Sequence, residues 1–137
     1  MAVADFNNDG RLDLVMNNNN ETPVLYVNNL KKTGNSVELK LVGTASNRDA
    51  IGACVWLTAG GKTMMRQVEA GSGYASEMML PLHFGLGKAE QVNRIEIRWP
   101  SGRVQHLDGD EITALMKGSR QLRIEEGDPQ ITQITQK

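Results

Sequence analysis

Apolar and polar positions alternate with a period of two over much of the chain. Val37-Glu-Leu-Lys-Leu41, Ala53-Cys-Val-Trp-Leu57, Arg94-Ile-Glu-Ile-Arg-Trp99 and Gln121-Leu-Arg-Ile-Glu125 carry the pattern most clearly. That period sends one set of side chains into a core and the other outward, as in half-buried antiparallel strands. Ala59-Gly-Gly-Lys62 is expected to fold the strand ending at Thr58 back into Thr63–Glu69, because paired glycines supply the positive φ of a tight hairpin. Pro100-Ser-Gly-Arg103 does the same between Ile95–Trp99 and Val104–Leu107. A helical pattern occurs once, at 110–118, with Asp110 as N-cap, Ile112, Leu115 and Met116 on one face and Gly118 as the stop. The prediction is an all-β fold: an antiparallel sandwich or open barrel of about seven strands with one short helix.

Composition changes this picture by dividing the chain. Asn occurs eight times in the first 29 residues, which also hold Asp5, Asp9, Asp13 and Glu21 against Arg11, a net charge of -3. From Lys31 to Glu126 the charges are mixed and short apolar runs are punctuated by Gly. The expected domains are therefore 1–30, 31–127 and a polar tail at 128–137, a frayed end or short edge strand opened by Pro129. With 137 residues, 39% hydrophobic and a net charge of -1, the chain can build one ordinary core. Scattered charge of both signs argues against a nucleic-acid partner. No apolar run approaches the roughly 18 residues of a membrane span, and Asp5 follows Met1–Ala4 at once, so neither a span nor a signal peptide is expected in this chain. One cysteine, Cys54, and two histidines exclude an internal disulfide and a Cys/His zinc site.

The strongest chemical motif is Asp5-Phe-Asn7-Asn-Asp9-Gly10-Arg11-Leu-Asp13. Side-chain oxygens at alternating positions, a Gly for the sharp reversal and the Arg11 carbonyl are what a loop needs to wrap a hard cation, so Asp5, Asn7, Asp9, Arg11 and Asp13 form a candidate Ca²⁺ site. An EF-hand would require a Glu where this chain has Met16, inside the apolar run Leu14-Val-Met16, so the loop feeds a strand. The alternative is an Asx-rich turn without an ion, in which three converging carboxylates would repel.

Val3–Val15, followed by Val24-Leu-Tyr-Val-Asn-Asn29, resembles the FG-GAP or VCBS repeat, a β-propeller blade whose acidic loop binds Ca²⁺. Residues 1–30 would form only part of such a blade, a hairpin preceding the sandwich. Downstream, Asn47-Arg-Asp-Ala-Ile-Gly-Ala53, Gln67-Val-Glu-Ala-Gly-Ser-Gly-Tyr-Ala-Ser76, His83-Phe-Gly-Leu-Gly87 and Ile95-Glu-Ile-Arg-Trp-Pro-Ser-Gly102 resemble the ASPIC/UnbV domain, which follows FG-GAP repeats in secreted proteins. The two resemblances imply the C-terminal part of a longer secreted or cell-surface protein, all-β in fold, with no catalytic activity to carry over. That family usually has Arg where this chain has Cys54.

Other residues read mainly as structure. The pairs Gly71/Gly73 and Gly85/Gly87 open no helix and precede no P-loop lysine, and Gly71-Ser-Gly-Tyr74 is no nucleophile elbow. His83 and His106 sit in or beside strands, where a hydrogen-bonded structural role outweighs acid–base work. One Met of each pair, Met64/Met65 and Met78/Met79, is expected in the core. Trp99 continues a buried face, whereas Trp56 is a candidate surface aromatic. Trp56 with Arg48, Tyr74 and Arg103 on loops makes a ligand-binding set. The expected function is a non-enzymatic, Ca²⁺-associated adhesion module for a cell-surface or matrix protein or glycan. Alternatives are a carbohydrate-binding accessory domain of a secreted enzyme and a structural cap of a propeller. Unpaired edges in residues 1–30 further suggest a homodimer through that segment.

Overall fold

A computed structural model describes residues 1–7, 9–31, 34–71, 81–117, 119–128 and 131–134. The chain falls into two compact units, Met1–Thr33 with Glu69–Met79, and Gly34–Val68 with Leu80–Lys137.

The first unit contains a sheet of three strands, β1 (Ala2–Ala4), β2 (Asp13–Met16) and β3 (Val24–Tyr26), in that order. Val3 lies opposite Leu14, and Leu14 lies opposite Tyr26 on its other side, both pairings antiparallel. β1 is a strand beyond the expected hairpin; its three residues are too few to show a period, and pairing with β2 supplies what the pattern lacks. Among its described residues only Asp13 is buried, while Phe6, Leu25, Tyr26, Val27 and Leu30 are exposed. Backbone pairing and the acidic loop, more than an apolar core, define this sheet.

The second unit is a sandwich, as the alternation predicts. One sheet has the order β11-β10-β4-β7 and the other β6-β5-β8-β9. The strands are β4 (Asn35–Val42), β5 (Cys54–Ala59), β6 (Lys62–Gln67), β7 (Leu82–Gly87), β8 (Val92–Arg98), β9 (Val104–Asp108), β10 (Gln121–Glu125) and β11 (Ile131–Gln133). Val37, Leu39 and Phe84 from the first sheet and Val55, Leu57, Ile95 and Ile97 from the second are fully buried. Fully burying an aliphatic side chain contributes about 2 kcal/mol, so these alternating positions hold the two layers together. Gly60 and Gly61 turn β5 into β6 with φ of 55° and 74°.

Three features depart from the expectation. β10 runs parallel to β4, Leu122 beside Leu39 and Ile124 beside Leu41, because the chain crosses the second sheet and α1 (Gly109–Met116) before it returns. β11 pairs with β10 as the short edge strand that is one reading of the tail, but it places Ile131 in the core where a polar segment was expected. The helix is capped by Asp108 rather than Asp110: the Asp108 carboxylate accepts from the Asp110 amide at 2.9 Å, and Asp110 and Glu111 fill the first turn. A Cβ at Gly109 would fall on the backbone of Val92 and Asn93, so glycine lets the helix start against β8. Gly118 lies outside the described residues.

Candidate functional site

The acidic loop joins β1 to β2 and is closed by its own amides. Asp5 accepts from the Asp9 amide at 3.0 Å and the Gly10 amide at 2.7 Å. Asp13 accepts from the Phe6 amide at 3.1 Å and from the Asn28 amide at 2.8 Å, which ties the loop to the end of β3. Asp9 accepts from the Arg11 amide at 2.9 Å and also pairs with the Arg11 guanidinium, whose Nε donates to the Asn28 carbonyl at 2.6 Å. Asn7 Oδ1 takes the Asp9 amide as well, at 3.2 Å. Gly10, at φ 84°, makes the reversal. Asp5, Asn7, Asp9, Arg11 and Asp13 thus share one loop, and their oxygens are the hard donors that Ca²⁺ prefers. Among the described residues no three acidic, histidine or cysteine side chains stand at metal-holding spacing, and the cation on Asp9 is the Arg11 guanidinium.

A second carboxylate, absent from the sequence reading, organises the sandwich. Glu126 is 3% exposed and sits at the end of β10. Its Oε2 accepts from the amides of Thr44, Ala45 and Ser46 at 2.9, 2.9 and 2.7 Å. Its Oε1 accepts from the Ser46 hydroxyl at 3.0 Å and from the Ser101 hydroxyl. Burial alone would raise its pKa, but the Ser101 hydroxyl, the Ser46 and Thr44 amides and the Ser46 hydroxyl override it and lower the value from 4.5 to about 2. Beside it, buried Gln105 accepts from the Trp99 indole at 3.0 Å and the Gly127 amide at 3.1 Å, and donates to the Asp128 carbonyl at 2.7 Å. Arg103 packs over Gly127 in the same region.

The loop between β4 and β5 is held equally firmly. Asn47 brackets it, donating to the Ile51 carbonyl at 2.9 Å and accepting from the Ile51 amide at 2.8 Å. Inside the bracket, fully buried Ala50 takes a φ of 54°, a left-handed conformation that costs a residue other than glycine about 1 kcal/mol.

On the outward face of the second sheet, Met65, Trp56, Glu96 and His106 lie side by side across four strands. Arg98 lays its guanidinium over the Trp56 ring, 4.7 Å from the centroid, and donates to Glu96 at 3.1 Å. Arg94 reaches the other Glu96 oxygen at 3.4 Å and His106 Nδ1 at 2.8 Å.

Residues 43–131 match the family described as ASPIC and UnbV. The chain belongs to the ASPIC and UnbV family. Over 106 residues it is 33% identical to cartilage acidic protein 1 of Xenopus tropicalis and 35% identical to that of Homo sapiens, alignments covering 75% of this chain and 16% of each relative. The protein of the same name from Mus musculus is 31% identical over the same length. The chain thus corresponds to a small part of the relatives it matches.

Within the ASPIC and UnbV region the quoted motifs resolve into structural parts. Asn47 to Ala53 is the bracketed loop, Trp99 to Gly102 the turn held by Gln105 and Glu126, and Met64 packs on the core while Met65 faces out. Of the candidate ligand set, Trp56 is half-buried beneath Arg98, Arg48 is exposed on the β4–β5 loop and Arg103 covers Gly127. Tyr74, with Ser72, Gly73, Ser76, Met78 and Met79, lies outside the described residues. The structure therefore places Trp56, Arg48 and Arg103 on three different elements. Of the two histidines, His106 meets Arg94 through Nδ1 at 2.8 Å, while the Nε2 of His83 is buried with no partner among the described residues. Sequence reasoning missed Glu126, whose amide partners are 80 or more positions away, and the Arg94–Glu96–Arg98 alternation, which was legible as a charged outward row.

Proposed function

We propose that this chain is a non-enzymatic binding module of a secreted protein, taking a matrix or cell-surface protein as its partner. One observation carries this reading: Ser46, Asn47, Ser101, Gln105 and Glu126, the polar side chains around the family motifs, are engaged in tying loops and turns together. That use builds a rigid frame rather than a set of groups poised to turn over a substrate. The three relatives bear the name of a cartilage protein, which supports an extracellular setting. Among the described residues no helix is long and apolar enough to cross a membrane. A carbohydrate-binding accessory role is less well supported, because Arg98 already occupies the Trp56 face on which a sugar ring would stack.

The test is binding of the whole chain to a panel of purified matrix proteins and to a glycan array, in millimolar Ca²⁺ and in chelator. Saturable binding to a panel protein is expected; binding confined to neutral sugars would favour the accessory reading, and silence on both surfaces would contradict the proposal.

We further propose that residues 1–30 are part of an FG-GAP-type repeat whose loop takes Ca²⁺ through Asp5, Asn7, Asp9, Asp13 and the Arg11 carbonyl. The oxygen donor set supports this, and binding requires Asp9 to exchange the Arg11 guanidinium for the ion. Calorimetric titration of wild type against Asp9→Ala tests it: heat in the first alone is expected, and equal heats refute the site. Exposed Leu25 and Tyr26 on the edge strand β3, with Val27 after it, support a homodimer through the same segment, which light scattering on the chain with and without residues 1–30 checks.

A further inference from the structure

We infer that Asn20 is the acceptor of an N-linked oligosaccharide. Asn20-Glu21-Thr22 places a hydroxyl residue two positions after an asparagine with no proline between them, the pattern such a transfer requires. Of the eleven asparagines in the chain Asn20 alone meets that pattern, so the chain takes one such sugar or none.

The structure leaves both residues without another task. They lie in the connection between β2 and β3, where Asn20, Glu21 and Thr22 are all exposed. Among the described residues no hydrogen bond engages the side chain of Asn20 or Thr22. Hydroxyls in the connections of the sandwich are used differently: those of Thr44, Ser46, Ser101 and Ser119 each donate to a backbone carbonyl or to the Glu126 carboxylate. Asn20 has one local reason for its identity, a φ of 64° that asparagine tolerates better than most residues. Thr22 has none. An exposed threonine tied to nothing is ordinary by itself; two positions after an exposed asparagine it completes an acceptor.

Exposure also decides whether the sugar can be carried. An oligosaccharide is bulky and hydrated, so its point of attachment must face solvent in the folded protein. The acidic loop precedes β2 and the Asn20 connection follows it, so a sugar on Asn20 stands at the far end of that strand from Asp5, Asp9 and Gly10. The donor is an oligosaccharide linked to a lipid diphosphate. Asn20 Nδ2 bonds to C1 of the first sugar as the C1–O bond to the diphosphate breaks; the lipid diphosphate leaves with the electron pair, and the amide gives up one proton to base. Pro23 restricts the backbone of Thr22, which the transferase has to accommodate, so only part of the molecules should be modified.

This inference rests on the secreted-protein reading, since only chains that cross a secretory membrane meet the donor, and its test supplies that passage. The whole chain is translated behind a cleavable secretion leader in the presence of microsomes, with import read from protection against added protease. Part of the protected chain is expected to gain the mass of one oligosaccharide and to lose it to an N-glycosidase. Asn20→Gln and Thr22→Ala should both abolish the gain, and Thr22→Ser should keep it. A protected chain without added mass, or a gain that persists in Asn20→Gln or in Thr22→Ala, would overturn the inference. The modified chain should unfold at the same urea midpoint as Asn20→Gln; a lower midpoint would show that the folded protein does not tolerate a sugar at Asn20, and would overturn it as well. Each of these failures refutes Asn20 alone, whereas the secreted-module reading fails by silence on the matrix panel.

Discussion

Two carboxylate sites in this molecule use the same chemistry over very different stretches of chain. Asp5 gathers amides from residues four and five positions ahead, Asp9 and Gly10, within one loop. Glu126 gathers the amides of Thr44, Ala45 and Ser46 from 82, 81 and 80 positions away and adds two hydroxyls. The first arrangement forms wherever the loop forms, next to the partly exposed Asp9–Arg11 ion pair. The second forms only when the sandwich closes, and its charge is answered wholly by protein groups. A carboxylate answered within its own loop needs only that loop; one answered by distant backbone needs the closed sandwich.

The sharpest way to break that contrast is to remove each acid. Glu126→Ala leaves three amides and two hydroxyls without their acceptor and should lower the stability of the sandwich by about 3 kcal/mol, read as a fall in urea midpoint at unchanged slope. Glu126→Gln should lose less, since one oxygen remains to accept. Asp9→Ala, at a partly exposed ion pair, should change that midpoint by less than about 1 kcal/mol.

Acid separates the two sites next. Because the pKa of Glu126 is depressed in the folded state, to about 2 from 4.5, it contributes stability above pH 4.5 that is lost as pH falls toward 2. Wild type should weaken through this window by more than Glu126→Gln does. Parallel curves for the two proteins would remove Glu126 as the acid-sensitive group. Asn47→Ala tests the neighbouring bracket: losing both side-chain bonds to Ile51 should cost about 2 kcal/mol in the same denaturation experiment.

What the sequence made legible follows the same divide. The sandwich strands, both hairpin turns and the acidic loop are local patterns: a period of two, paired glycines, and oxygens at fixed spacing. Trp99 in the core and Met65 on the surface follow from that period too. The parallel β4–β10 pair, the Glu126 cluster and the Ile131 edge strand depend on residues brought together from opposite ends of the domain, which periodicity does not encode. The helix cap was displaced by two residues because Gly109 adopts helical geometry where its missing side chain lets it approach β8. Of the ligand set, Arg103 lies over Gly127 while Trp56 faces outward on β5, positions that a strand period and turn residues do not relate to one another.

The smallest effects belong to the loop. Arg11→Gln removes the competing cation from Asp9, so Ca²⁺ should bind several-fold more tightly than to wild type; an unchanged or weaker affinity by calorimetry would mean that Arg11 does not compete. At ten times its Kd, Ca²⁺ would add only about 1.4 kcal/mol to the unit that binds it, too little to govern the fold as Glu126 does.

The contrast is tested most directly by following every backbone amide of the whole chain by NMR as Ca²⁺ is added. Shifts are expected at Phe6, Asp9, Gly10, Arg11 and Asn28, the amides that share the loop's carboxylates, with those of Thr44, Ala45 and Ser46 unmoved. Movement of the Glu126-bound amides, or stillness throughout residues 5–13, would contradict it.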